Sequence, residues 1–300
     1  MHFRPKTTFK SASRTRYPYS DFMPILRING QKIPQVQSTK FLGVIIDDKL
    51  SWEDHVTHLE NKLKSSLVVI KRIMKYIPKS QYMSIYNSLF LSHLTYGISA
   101  WGGIPHYKLV KLFGIQKRCI RLLFGKELSF DHGEYYMTCA RSRTFREHVS
   151  PYDFSLEHTK PLFTEQKLLT IHNLYYKHTF LEIFKIIKHR EPRGIFDKIK
   201  VSTNNRNNQI LLKPNITDNK LLINQQNFLS KSCKIWNVFV KEVFEKNKIN
   251  NIVGYIIPGE VANSDLSASV AFIKDSLTKI LLTKQSSGSE ENWESRQFEI

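Results

Sequence analysis

The stretch Lys40-Phe41-Leu42-Gly43-Val44-Ile45-Ile46-Asp47, followed by Leu50-Ser51-Trp52 and His55, is a junction where a strand hands over to a long basic helix. From Phe41 to Ile46 every residue is apolar or glycine. That pattern suits a strand buried on both faces, with Gly43 letting another backbone or a ligand come close. Ser51 and Asp54 stand three residues apart and resemble a capping box that opens a helix. Just upstream, Ile25–Ile28, the turn signal Asn29-Gly30 and Lys32-Ile33 read as a two-strand hairpin, to which Phe41–Ile46 adds a third strand.

Beyond this junction the chain turns helical. Val56, Leu59, Leu63, Leu67, Ile70, Met74 and Ile77 recur at three- and four-residue steps. The spacing predicts one amphipathic helix over 52–77, stopped by Pro78, with Lys62, Lys64, Lys71, Arg72 and Lys75 on its other faces. Residues 81–100 are apolar nearly all round and predict a second helix at the centre of a bundle, broken by Gly102-Gly103. A third, over 106–124, turns Leu109, Leu112, Phe113, Gln116, Ile120 and Leu123 inward and Lys108, Lys111, Lys117, Arg118 and Arg121 outward, with Gly125 as its C-cap. Helical period returns over 165–189, 228–244 and 271–282. The Asn-rich segment 201–226 reads as loop or short strand.

These elements give a mainly α fold: a small N-terminal β hairpin and strand, a three-helix bundle and a second, looser helical region. The expected divisions are a basic arm and β remnant over 1–50, the bundle over 51–126, a connection over 127–163 and a C-terminal helical region over 164–283. That last region contains the polar loop at 201–227, and an acidic, disordered tail covers 284–300.

Lysine and arginine number 45 against 26 aspartates and glutamates, a formal charge of +19 that favours polyanionic partners. The three cysteines, Cys119, Cys139 and Cys233, have no short spacing, which argues against a disulfide framework or zinc knuckle and for a reducing, intracellular setting. No run reaches the ~20 apolar residues that span a bilayer, so a soluble protein without a membrane partner is expected. His55 and His58 beside Asp54 have metal-ligand spacing, and Cys119, His132, Cys139 and His148 are irregularly placed. Neither set is read as a metal site. Tyr96 and Trp101 are read as core.

Lys40-Phe41-Leu42-Gly43-Val44 with Asp47, Leu50-Ser51-Trp52 and His55, then Tyr86-Asn87-Ser88-Leu89, Leu94-Thr95-Tyr96-Gly97, Trp101-Gly102, Gln116-Lys117-Arg118 and Arg121, resembles the C-terminal part of non-LTR (LINE-like, jockey-like) retrotransposon reverse transcriptases. The likeness continues more weakly through Pro161-Leu162-Phe163, Leu168-Leu169, Trp236-Asn237, Phe272-Ile273-Lys274 and Trp293. The resemblance implies that Phe41, Leu42 and Gly43 belong to a primer grip closing the palm, although in isolation these residues read more readily as hydrophobic packing. It also implies that the basic helices form a thumb, and that the chain begins inside a longer polyprotein.

Magnesium held by palm aspartates is implied for the intact polymerase, and no cofactor for this chain. Asp21 is the one acidic residue within 1–46, and Asp47-Asp48 reads as a strand end beside a helix start, so no catalytic residue is assigned. The nucleic-acid-binding candidates are Lys62, Lys64, Lys71, Arg72, Lys75, Lys117, Arg118 and Arg121, toward RNA, DNA or their hybrid, with a separate palm-containing polypeptide as a further partner. The rival reading is an inert or protein-binding helical remnant whose charge is incidental.

Overall fold

The computed structural model describes residues 26–34, 36–125, 159–204, 209–215, 228–246 and 266–287. The expected basic arm, most of the connection, residues 288–300 of the acidic tail, His132, Cys139 and His148 lie outside these residues, whereas 284–287, expected to be disordered, continue the last helix and bury Gln285. The chain divides into two compact units, the boundary falling inside the first long helix between His58 and Leu59. Among the described residues no helix is long and apolar enough to cross a membrane.

The first unit is built from two short antiparallel hairpins. Strands β1 (Arg27–Ile28) and β2 (Gln31–Lys32) close through Asn29-Gly30, with φ of 50° and 80°. Strands β3 (Ser38–Phe41) and β4 (Val44–Asp47) close through Leu42-Gly43, with φ of 46° and 83°. Both loops thus place two central residues at positive φ, the geometry whose twist suits a two-residue hairpin. The run expected to be one buried strand therefore folds back on itself, and Phe41 and Leu42 are 61% and 74% exposed at its tip. The apolar run misleads because Gly43 supplies a turn instead of a close approach.

Asp47 ends β4 and organises the chain that follows. Its carboxylate accepts from the backbone N–H groups of Lys49 (3.1 Å), Ser51 (2.8 Å) and Trp52 (2.7 Å). At the expected capping box the Ser51 hydroxyl accepts from the N–H of Glu53 at 3.4 Å, and the Asp47 carboxylate fixes the turn that leads into the helix. Helix α1 (Glu53–Ile73) starts there with two acidic residues in its first turn and ends with Lys71 and Arg72 in its last, both favourable to the helix dipole. It stops four residues before the expected Ile77, so Lys75 lies in the turn beyond.

In the second unit the expected second helix is segmented. A 3-10 turn (Lys79–Gln81) leads into α2 (Tyr82–Ile85), a π-helical stretch (Tyr86–Leu91) and α3 (Ser92–Thr95). Gly97, at φ 62°, then separates it from α4 (Ile98–Trp101). Helix α5 (His106–Phe124) has the expected bounds. Helix α6 (Lys160–Glu165) precedes α7 (Ile171–His189), whose N-cap is Thr170, its hydroxyl accepting from the N–H of Asn173. The expected start at Glu165 fails because Leu168–Thr170 is extended.

Helix α8 (Arg193–Phe196) follows. Strands β5 (Ile199–Asn204) and β6 (Gln209–Pro214) then pair as an antiparallel hairpin where loop or short strand was expected, and helices α9 (Phe228–Lys246) and α10 (Leu266–Ser287) complete the described residues.

Helix α7 is the hub of this unit, packing against α3, α4, α5, α8, α9 and α10. Eleven of its residues are buried, among them Phe180, whose ring stacks on Trp236 of α9 at 4.9 Å between centroids. The two expected helical regions therefore share one core. Tyr175 of α7 lies against Gly102 and Gly103, where an added Cβ would come within 2.7 Å and 2.8 Å of its ring and hydroxyl. Trp101 is fully buried and its indole N–H donates to the Tyr96 carbonyl at 2.9 Å, whereas the Tyr96 ring, expected in the core, is 55% exposed.

Candidate nucleic-acid interface

Helix α1 separates its residues cleanly by face. Leu59, Leu63 and Ile70 are buried, whereas Lys62, Lys64, Lys71 and Arg72 are exposed, as is Lys75 in the turn that follows. Between these cations the same surface shows Val68 and Val69, 52% and 47% exposed. Lys64 is partly neutralised by Glu60 one turn earlier, at 2.6 Å, which leaves it the weakest contributor of the five. Lys62 lies close enough to His93 to help lower that imidazole's pKa, after the burial that lowers it most. Tyr76 stands beyond the helix end beside Arg72 and Lys75 and is 86% exposed.

Helix α5 repeats the arrangement. Leu109, Leu112, Ile115, Gln116, Cys119, Ile120 and Leu123 are buried, and burial pushes the Cys119 thiol up to about 12, so it acts as an inert core side chain. The opposite face carries Tyr107, Lys111 and Arg118, all exposed, with Arg121 half-buried in the last turn. Lys117 is half-buried and its ammonium sits 4.8 Å from the centre of the Phe113 ring, so part of its role is packing. Sequence reasoning selected the cations and missed Tyr76 and Tyr107. Their signal was present in each case: an aromatic flanked by lysines and off the apolar stripe.

The primer-grip-like residues Phe41, Leu42 and Gly43 form the exposed tip of the β3–β4 hairpin in the first unit. Leu42 occupies a left-handed backbone conformation that asparagine or glycine adopts more readily. His55, also in that unit, is buried and accepts the Ile45 N–H at Nδ1 (3.3 Å), a structural bond for the ring nitrogen that faces β4.

Comparison with known proteins finds similarity over about a third of the chain. Over 107 residues, 35% of the chain, the sequence is 26% identical to the probable RNA-directed DNA polymerase from transposon X-element of Drosophila melanogaster. Over 109 residues it is 23% identical to the retrovirus-related Pol polyprotein from type-1 retrotransposable element R1 of Bradysia coprophila. Over 107 residues it is 24% identical to the RNA-directed DNA polymerase from mobile element jockey of Drosophila melanogaster.

The chain is similar to non-LTR retrotransposon RNA-directed DNA polymerases. It spans 11 to 12% of the length of these curated polymerases. No family model matches the chain, and no solved structure matches it.

Among the described residues no group of three or more His, Cys, Asp or Glu side chains gathers closely enough to hold a metal ion. Asp47, the carboxylate nearest in sequence to the grip-like tip, directs both oxygens at backbone N–H groups.

Proposed function

We propose that this chain is the nucleic-acid-holding part of a reverse transcriptase of the non-LTR type, binding RNA, DNA or an RNA·DNA hybrid without sequence preference. The observation that carries this reading is the exposed basic face on two separate helices, Lys62, Lys71 and Arg72 on α1 and Arg118 on α5, in a chain of formal charge +19. Cations on rigid helices position a sugar–phosphate backbone and carry no base readout, which suits a surface that must tolerate any copied sequence. Lys75, Lys117 and Arg121 extend these faces, and Lys64 adds to them less because Glu60 offsets its charge.

The Phe41-Leu42-Gly43 tip fits a role outside its own unit. Phe41 and Leu42 present apolar side chains largely to water at the hairpin tip, a surface that a partner, a palm carried elsewhere or the primer end, would cover. The chain by itself holds nucleic acid and does not extend a primer.

Titration of a fluorescent RNA·DNA hybrid at a series of salt concentrations tests the reading. Neutralising about six phosphates gives a log–log slope of about −5. Reversing Arg72 and Arg118 to glutamate reduces that slope. Absence of binding at low salt overturns the proposal in favour of an inert or protein-binding helical remnant, and primer extension by the chain alone with nucleotides and magnesium overturns its second half.

A further inference from the structure

Gly114 lies in the middle of the 19-residue helix α5, three residues after Lys111 and four before Arg118. Glycine is the poorest helix former after proline, so a mid-helix glycine normally answers to packing. Gly102 and Gly103, in the turn after α4, do answer to packing, since a Cβ on either would meet Tyr175 at under 3 Å. At Gly114 an added Cβ meets nothing within 4 Å among the described residues, and its φ is not in the left-handed range. Among the described residues neither a neighbour nor the backbone conformation asks for glycine there.

The position is informative. At 100° per residue, Tyr107, Lys111, Gly114, Arg118 and Arg121 fall within one arc of about 80°, opposite the buried row Leu112, Gln116, Cys119 and Leu123. Gly114 is thus a gap in the side-chain cover of the basic face, with a cation one turn before it and another one turn after. Tyr107 begins the same row, 62% exposed.

We infer that Gly114 is a contact residue: its missing side chain lets a sugar–phosphate backbone lie directly on the α5 main chain, between Lys111 on one side and Arg118 with Arg121 on the other, while Tyr107 packs against the sugar or base at the end of the track. The charge of the flanking residues selects a polyanion over a protein helix as the occupant. This inference rests on the nucleic-acid reading above and deepens it by naming the track.

The test uses the full chain with the Gly114→Ala and Gly114→Gln variants and, as a control, Gly194→Ala, another position where a Cβ meets nothing within 4 Å. Thermal unfolding and hybrid titration are read on each. The expected result is a split: Gly114→Ala unfolds at a higher temperature than the parent and binds the hybrid about threefold more weakly. Gly114→Gln binds about tenfold more weakly, with a salt slope lowered by about one, and Gly194→Ala binds as the parent does.

Equal hybrid affinity in parent and Gly114 variants overturns the inference while leaving the broader reading intact. A parent that binds no hybrid overturns both. Lowered stability in Gly114→Ala overturns it by assigning the glycine to the fold, and a Gly114→Gln variant altered only in self-association overturns it by making the gap a protein contact.

Discussion

Gln116 on α5 and Gln285 on α10 grip the same extended segment, Leu168–Ile171, from its two edges. The Gln116 amide donates to the Leu169 carbonyl (2.9 Å) and accepts from the Ile171 N–H (3.0 Å). The Gln285 amide donates to the Leu168 carbonyl (3.0 Å) and accepts from the Thr170 N–H (3.2 Å). Residues alternate sides along an extended chain, so each glutamine reads one C=O and one N–H two residues apart, as a neighbouring strand would. Both glutamines are buried and further tied, Gln116 to the Tyr86 hydroxyl and Gln285 to the Asn173 amide. Asn237 of α9 does the same for β6, accepting from the Leu212 N–H and donating to its carbonyl at 2.8 Å and 2.9 Å.

Replacing either glutamine by leucine strands one buried N–H and one buried C=O. Each substitution is expected to lower stability by about 2–4 kcal/mol in urea denaturation, and the double variant by less than the sum, because both act on one segment. A loss under about 0.5 kcal/mol from either would show that the segment finds other partners.

The Gly103–Tyr175 contact makes a second, sharper prediction. A Cβ on Gly103 would stand 2.8 Å from the Tyr175 hydroxyl, so Gly103→Ala is expected to cost about 1–3 kcal/mol. Tyr175→Phe removes that oxygen and should recover most of the loss. Gly102→Ala should resist this rescue, since its Cβ also meets the Ile98 carbonyl oxygen at 2.5 Å. Equal rescue of both variants by Tyr175→Phe would contradict the geometry.

These details also show what could be read in the sequence. Helix α5 was legible to the residue because Pro105 and Gly125 bracket a clean apolar stripe, and Asn29-Gly30 announced its hairpin. The second hairpin was not, because Leu42 is a residue that a positive φ disfavours and its apolar neighbours imitate a buried strand. Gly97 hid inside an apolar run, so the segmented helix looked continuous, and the extended Leu168–Thr170 was masked by apolar residues whose backbone partners are two distant glutamines. The basic faces could be seen from charge and period alone. Tyr76 and Tyr107 carried a weaker signal, an aromatic beside a lysine and off the apolar stripe, and Gly114 carried none until the buried side of α5 was known.

Leu42 offers a test of the hairpin tip that separates folding from function. A left-handed leucine costs about 1–2 kcal/mol, and asparagine tolerates the same φ with less strain. Leu42→Asn is therefore expected to raise stability by up to about 1 kcal/mol, visible as a higher unfolding midpoint. If the tip serves a partner, the same variant weakens that association. A Leu42→Asn variant less stable than the parent would mean that the leucine is packed, not presented.

Histidine 55 sets the response to acid. Burial, with a smaller push from His58, holds its pKa at about 4, below the ordinary 6.5. Its Nδ1 must also remain unprotonated to accept the Ile45 N–H. Between pH 6.5 and 4 the unfolded chain therefore binds a proton that the folded chain refuses, so stability is complete above about 6.5 and is lost progressively as pH falls toward 4. The loss from this group is at most about 3 kcal/mol.

His178 titrates in the same window. Burial foremost, then Lys177, Lys274 and Lys185, lowers its pKa to about 4. Thermal unfolding from pH 7.5 to 4.5 should show a falling midpoint that flattens in His55→Gln, whose side-chain oxygen can still accept from Ile45, and flattens further when His178→Gln is added. An unchanged pH profile in the double variant would place the acid sensitivity in other groups.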